Sequence, residues 1–373
     1  LIGSMSNGGS GTLNTSYVKF YNIEVHDCES IGILGDYDIH HNEFVNCHVH
    51  RNGKHPPKGG EGIYIGGDYN KIINCSFHDN ADNGIQIWAS IDGDRSMCGI
   101  ANPSGNIIMG NVVYNNGFKE NGKGIVVGGT CGGDGNIVVN NIVFNNKFYG
   151  IAMISGLGEN NKILNNIVYG NGYGVTIYSS IGPNTVIKNN IVYNNGNNFE
   201  AQMISGKPSH LDSVDMDYNL WDPSKCFAWD GRNYCSLSEF SAVSGNDAHS
   251  IAADPKFVDP SANNFHLQQS SPAIDAGIAL TEVRYDIEGV ERPQGNGYDI
   301  GAYEFPEGSH QIACSDTDNG INYNAKGVCM DAQGQHTDRC INDNKLIEYY
   351  CDNNLCKERQ KTCLLYTSPS PRD

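Results

Sequence analysis

One phrase recurs along this chain: an Asn, an apolar pair, two more Asn, then Ile-Val-Tyr and a Gly-Ile-x-Ile segment. It runs from Asn161 to Ile177 and starts again at Asn184, with earlier copies beginning near Val18, Asn42, Asn70, Asn106 and Asn136. Short apolar runs bounded by Gly and Asn turns, repeating at intervals of roughly 23–36 residues, are the pattern of a parallel β-solenoid. One copy makes one coil. A coil cannot bury its apolar face alone, so the copies stack into a continuous core.

Aligning the copies shows which positions stack. The centre of the middle strand reads Val25, Val49, Phe77, Val113, Val143, Val168 and Val192, and is expected to face inward. Three residues earlier stand Asn22, Asn46, Asn74, Gly110, Asn140, Asn165 and Asn189. Three later stand Cys28, Asn52, Asn80, Asn116, Asn146, Asn171 and Asn195. Amides in register on coils about 4.8 Å apart can bond in ladders, and Asn also tolerates the left-handed conformation of a tight corner. Both sets are read as structural.

The chain has 373 residues and a net charge of −18. Such acidity argues against nucleic acid as a partner, since phosphate binding needs clustered Lys and Arg. A polyanionic substrate would gain only from a local basic patch or bridging cations. No apolar run reaches the length of a membrane span. The first residue is Leu1, with the solenoid under way by Val18, so the N-terminus reads as truncated. Residues 364–373 bear no relation to what precedes them and read as a non-native tail, resembling translated adaptor read-through.

Thirteen Cys are present. Six of them, Cys314, Cys329, Cys340, Cys351, Cys356 and Cys363, fall in a polar segment near the C-terminus, which suggests three disulfides of open connectivity. Cys226 and Cys235 are placed to close a hairpin, and Cys98 and Cys131 to pair between loops. Cys47 and Cys75 share one stacked position, as a bridge or as buried thiols. This usage points to an oxidising, extracellular or cell-surface setting.

The repeats fade after Val192. The expected organisation is β-helix coils over 1–221, a C-terminal closing element over 222–308, a Cys-rich module over 309–363, and the tail. The closing element covers an otherwise open sheet edge. Its phrases Ser271-Pro-Ala-Ile-Asp-Ala-Gly277 and Tyr298-Asp-Ile-Gly-Ala-Tyr-Glu304 follow Asn-Asn-Ile-Val-Tyr coils. Over roughly residues 14–305 the chain thereby resembles secreted right-handed parallel β-helix proteins of the pectate-lyase-like superfamily. That resemblance implies an all-β solenoid. It leaves open whether the protein is a polysaccharide lyase, an epimerase, a glycoside hydrolase or a non-catalytic surface protein, and it carries over no catalytic residue. The Cys-rich module more loosely resembles those of archaeal cell-surface proteins. Asp316-x-Asp318 hints at a calcium loop, although a plain turn is the simpler reading.

Outward positions offer the candidate site. Beside the inward residue stand His26, His50 and His78, then Tyr114, Phe144, Tyr169 and Tyr193. On its other side stand Glu24, His48 and Ser76, then Val112, Ile142, Ile167 and Ile191. After the histidines come Asp27, Arg51 and Asp79. The first three coils therefore carry ionisable groups where the later four do not. The same coils carry the longest decorations, including the run Arg51 to Glu61 with Lys54, His55 and Lys58, and long loops on a rigid scaffold tend to bind ligands.

The expected cast for β-elimination is His50 or His78 as base, Arg51 as carboxylate neutraliser and Tyr64 as proton donor. Lys54, His55, Lys58, Glu61, Gln86 and Trp88 would bind the sugar, and Asp27 and Asp79 would hold a metal, with calcium as the ion considered. The stacked histidines are alternatively a plain surface ladder, or share a divalent metal. Hydrolysis would draw on Glu24, Glu61, Asp79 and Asp92. The leading reading is a lyase or epimerase acting on an acidic polysaccharide. A non-catalytic surface protein binding glycans or its own cell envelope comes second, and a hydrolase third. An enzyme groove requires His50, Arg51, His78 and the 51–61 loop to converge in one cleft with Tyr64 or Trp88.

Overall fold

A computed structural model of the chain describes residues 16–35, 39–53, 59–89, 103–119, 122–129, 132–154, 158–178, 183–202 and 211–306. In the C-terminal segment it describes 315–316, 328–331, 334–342, 345–352 and 355–362. Two compact units divide at Phe305 and Pro306.

In the first unit each sequence repeat folds as one coil of three short strands. The coil of Lys71–Ile73, Ser76–His78 and Ile85–Ala89 is representative. Stacking the coils makes three sheets of eight, nine and nine strands among the described residues, parallel except for the last strand of the third, and called the first, second and third sheets in that order. The second sheet runs from Glu24–His26 through His48–His50, Ser76–His78, Val112–Tyr114 and Ile142–Phe144, and on to Ile251–Ala252. Its register pairs Val25 with Val49, Val49 with Phe77 and Phe77 with Val113. The column of inward residues is buried in one core with Ile33, Ile63, Ile85, Ile108 and Ile125.

The asparagines do two separate jobs. Asn22, Asn46, Asn74, Asn140, Asn165 and Asn189 hold the left-handed corner between the first and second sheets, with φ of 51° to 58°. Gly110 takes that place in the remaining coil with φ 67°. Asn is favoured at such corners because its short polar side chain lowers the cost of that conformation. The set from Asn52 to Asn195 does form a buried ladder: Asn80 Nδ2 donates to Asn116 Oδ1 at 2.9 Å, and Asn116 Nδ2 to Asn146 Oδ1 at 2.9 Å.

Two further ladders lie elsewhere than at the corner residues. One joins Asn111, Asn141, Asn166, Asn190 and Asn219. It is prolonged by Cys75, whose N–H donates to Asn111 Oδ1, and Cys47, whose N–H meets Cys75 Sγ at 3.2 Å. Cys47 and Cys75 are buried free thiols, serving as ladder members. The other runs from Asn42 through Asn70, Asn106 and Asn136 to Asn161. Each rung ties backbone to side chain across coils, so the turns are satisfied without water.

Close packing also explains the glycine at the start of the third-sheet segment in six coils, at Gly32, Gly62, Gly84, Gly124, Gly150 and Gly174. A Cβ on Gly124 would lie 2.3 Å from Val143 Cγ1 and 2.6 Å from the Gly150 carbonyl oxygen.

Residues 226–252 plug the open end. Phe227–Trp229 pairs antiparallel with Arg232–Tyr234, and the Cys226–Cys235 disulfide closes that hairpin. Helix Leu237–Ser244 follows, capped by Ser236 and by Gly245 at φ 72°. It drops Phe240 onto the core, stacked on Phe227 at 4.4 Å.

The next fifty residues do something different. From Phe257 onward the chain returns over the outer face of the second sheet. Phe257, Phe265, Leu267, Ala273, Ile300 and Ala302 bury against Ile142, Phe144, Ile167, Ile191 and Leu220. Three corner asparagines catch its backbone: Asn140 Nδ2 bonds the Tyr285 carbonyl, Asn165 Nδ2 those of Asp299 and Gly301, and Asn189 Nδ2 that of Ile278. A buried ion pair at 2.7 Å between Arg292 and Glu304 holds the segment's own shape.

In the second unit, Lys345–Asp352 pairs antiparallel with Leu355–Thr362, and Cys329 is bonded to Cys356. The suggested Cys98–Cys131 pair and residues 364–373 lie outside the described residues, as does the Asp318 end of the suggested calcium loop.

Candidate functional site

In each strand of the second sheet the central residue points in and its two neighbours point out. Two outward columns result. In one, His26, His50, His78, Tyr114 and Phe144 stand in register. Their rings stack in sequence at 5.3, 5.0, 4.6 and 4.8 Å between centroids, with interplanar angles of 18°, 7°, 12° and 5°. The parallel column brings Glu24 and His48 alongside, with the His48 ring 4.3 Å from that of His50.

Hydrogen bonds order the protons of this cluster. His78 Nδ1 lies 2.7 Å from Asp79 Oδ2, so it carries a proton and leaves Nε2 as an acceptor. His48 Nε2 sits 2.6 Å from His78 Nε2, a distance that admits one proton between the two nitrogens, and His48 is the donor. His50 Nε2 lies 3.1 Å from Glu24 Oε1, while its Nδ1 is buried without a partner. The bond from His50 holds the Glu24 carboxyl below its usual range. Partial burial, then the neighbouring His50, lowers the His48 imidazole. Asp27 Oδ2 is shared by His26 at 2.7 Å and Arg51 at 3.1 Å.

Ligand atoms of Glu24, His48 and His50 all lie within 4.8 Å of one another. This group is rich in nitrogen, whereas calcium wants six to eight oxygens. Asp27 and Asp79, named as calcium ligands on sequence grounds, instead orient His26, Arg51 and His78. Calcium is therefore not supported.

The change from ionisable to apolar residues along the second sheet has a packing cause. Phe144, Ile142, Ile167 and Ile191 are apolar because the returning segment covers them. Tyr114 stands at the margin of that cover, and the histidines lie beyond it.

Among the described residues, the expected single cleft is not formed. Tyr64 and Gln86 are paired in register on the third sheet, and Trp88 follows on the same outward face, whereas His50 and His78 lie on the second. Arg51 occupies the turn between them at φ 54° and pairs with Asp27. Glu61 is buried, and its Oε2 accepts from the Gly60 N–H at 2.8 Å. Lys54, His55, Lys58 and Asp92 lie outside the described residues.

Instead, a recess of about 450 Å³ opens on the third sheet, lined by Asn83, Gln86, Trp88, Lys123, Phe148 and Tyr149 among others. The backbone N–H of Lys123 donates to Asn83 Oδ1 at 2.8 Å, and its ammonium lies 5.8 Å from the Phe148 ring centroid. Burial lowers the Lys123 amine below the usual lysine range, opposed by Asp82 and Glu61. Farther along the same face Thr176 and Glu200 are adjacent in register, and Thr176 Oγ1 and Glu200 Oε2 are buried without partners. Burial alone raises the Glu200 carboxyl.

Sequence reasoning found Gln86 and Trp88 but missed Lys123, Phe148 and Tyr149. A usable signal was present. Glu61, Asn83, Lys123, Tyr149 and Tyr173 all immediately precede the glycine of the Gly-Ile-x-Ile type strand, so after Ile31 in the first coil this column is polar or aromatic.

Two family models match the chain. One is described as a right handed beta helix region and covers residues 2–93. The other is described as a periplasmic copper-binding protein (NosD) and covers residues 96–206. The latter segment lies beyond Glu24, His48 and His50, so its description does not assign those residues. No curated protein matches the sequence. Among solved structures, the pectate lyase Pel9A aligns at 19% identity with a TM-score of 0.52, over 78% of this chain and 66% of that one. XylC, solved in complex with xylose, aligns at 12% identity with a TM-score of 0.44, over 77% of this chain and 50% of that one. Strand topology, family match and the Pel9A likeness agree, and the chain is a right-handed parallel β-helix of the pectate-lyase-like fold.

Proposed function

We propose that this β-helix acts outside the cytoplasm on an acidic polysaccharide, bound in the recess of the third sheet, and that it is a lyase with Lys123 as its base. The observation that carries the reading is Lys123, an amine depressed by burial, set among Trp88, Phe148, Tyr149 and the amides of Asn83 and Gln86. Aromatic faces stack on sugar rings, and amides bond their hydroxyls. A neutral amine is the form that removes a proton, so a lowered Lys pKa suits a base at moderate pH. In the elimination, Lys123 takes the proton on the carbon next to the uronate carboxylate. The electron pair forms the ring double bond, the bond to the adjacent glycosidic oxygen breaks, and that oxygen is protonated on leaving. An epimerase would share the first step and return the proton to the opposite face.

Hydrolysis fits less well. It needs two carboxylates flanking the bond, and among the described lining residues there is none. The disulfides Cys226–Cys235 and Cys329–Cys356 support an oxidising compartment. No helix of the described residues is long and apolar enough to cross a membrane.

The test is incubation with pectate, alginate and glycosaminoglycans while ultraviolet absorbance follows unsaturated uronate. The expected result is a rise with one polymer, lost in Lys123→Ala and Lys123→Arg but with binding retained. No rise with any polymer, together with binding that Trp88→Ala abolishes, favours the second reading of a non-catalytic glycan-binding surface protein.

A further inference from the structure

We propose that Glu24, His48 and His50 form a binding site for a divalent first-row transition metal of the zinc or cobalt type, on the uncovered face of the second sheet. This inference is independent of the lyase reading, which concerns another sheet. Glu24 Oε1 lies 3.1 Å from His50 Nε2 and 3.9 Å from His48 Nδ1. Two ligands each about 2.0–2.1 Å from a tetrahedral ion stand roughly 3.3 Å apart, so with all three ligand atoms within 4.8 Å of one another, closure around an ion is within reach of side-chain rotation by the exposed Glu24 and half-exposed His48. Two imidazoles and a carboxylate are a donor set that suits such ions and not calcium or magnesium.

The surroundings are those of a built site. If His48 Nδ1 takes the ion, its Nε2–H points at His78 Nε2, and His78 Nδ1–H points at Asp79. That chain reaches a carboxylate through one extra imidazole, and metal-bound histidines commonly use their second nitrogen in this way. His50 is held between the rings of His26 and His78 and is 3% exposed. His50 differs from His48 here, because its Nδ1 is buried without a partner and no second hydrogen bond orients the ring. The ring is thus fixed by packing, with Nε2 turned to Glu24. The side chains of Glu24 and His48 are 60% and 46% exposed, so an ion can enter from solvent and keep an open position.

Metal-free full-length protein titrated with Co²⁺, read by visible ligand-field absorption, tests the proposal, with Zn²⁺ as competitor and Ca²⁺ as control. The expected result is a Co²⁺ spectrum displaced by Zn²⁺ and not by Ca²⁺. Affinity should drop at least about tenfold in His48→Ala and His50→Ala, and about ten- to a hundredfold in Asp79→Asn. His249→Ala, an exposed histidine paired with Asp217, should change nothing. Should His50→Ala fail to fold, exposed Glu24→Gln gives the same readout. Lys123→Ala should bind Co²⁺ normally even if it lacks all lyase activity. Absence of a spectrum, or one unchanged in Glu24→Gln and His48→Ala, would overturn the site and leave the cluster a proton-sharing histidine ladder.

Discussion

The ring of Phe265 lies 5.2 Å from that of Phe144, although 121 residues separate them in the chain. It caps the stack that begins at His26 and passes through His50, His78 and Tyr114. One outward position of the repeat is therefore histidine beyond the reach of the returning segment and aromatic where that segment lies on it or borders it. Corner asparagines follow the same division. Asn140, Asn165 and Asn189 bond that segment, while the Asn46 side chain bonds the Tyr21 hydroxyl of the neighbouring coil.

Phe265→Ala should destabilise the protein by about 3–5 kcal/mol, the usual cost of emptying a buried aromatic site. Chemical denaturation measures the loss, and limited proteolysis should cut residues 253–305 first. A loss below about 1 kcal/mol would mean that the segment contributes little to the fold.

Asn166→Ala should cost about 3 kcal/mol or more. Its Oδ1 accepts from Asn141 N and Nδ2 at 2.9 Å, and its Nδ2 donates to the Val138 and Leu164 carbonyls and to Asn190 Oδ1. Removing it strands several buried groups at about 1–3 kcal/mol each. Asn160→Ala, at an exposed left-handed corner, should cost only about 1 kcal/mol. Equal losses at the two sites would show that the ladder adds nothing to the corner preference.

Burial pushes the Asp247 carboxyl up to about 7, against bonds from Ser250, Trp221 and Asn219 that favour the charged form. Its folded value exceeds its unfolded value of 3.8, so the protonated form is the one that folding favours. Its contribution is fully present below about pH 4, fades as pH rises and is gone above about pH 7, a swing of up to roughly 4 kcal/mol. Stability of the parent minus that of Asp247→Asn, from denaturation at several pH values, should fall across that window. A flat difference would place the titration elsewhere.

If Lys123 is the base, lyase turnover should rise with pH along a limb set below the usual lysine range, because the amine acts once deprotonated. The limb should vanish in Lys123→Arg. A limb that survives in a still-active Lys123→Arg enzyme would assign the base to another group.

The coil was legible in the repeat itself. Inward Val and Phe, left-handed Asn corners and the ladder from Asn52 to Asn195 all arise from contacts between neighbouring copies, which recur at a nearly constant spacing. The second and third ladders were harder to see, because their asparagines sit beside the corner residues and only the register tells the two apart. Three relationships belong to tertiary structure alone. Residues 253–305 double back to cover the later coils, which is what makes their outward residues apolar. The recess draws Trp88, Lys123 and Tyr149 from three coils onto a sheet facing away from the histidines. Glu24, His48 and His50 come within 4.8 Å of one another only when two strands pair in register. A repeat encodes contacts with the copy above and below. Which faces stay open depends on where the chain goes after the last coil, and no periodicity records that.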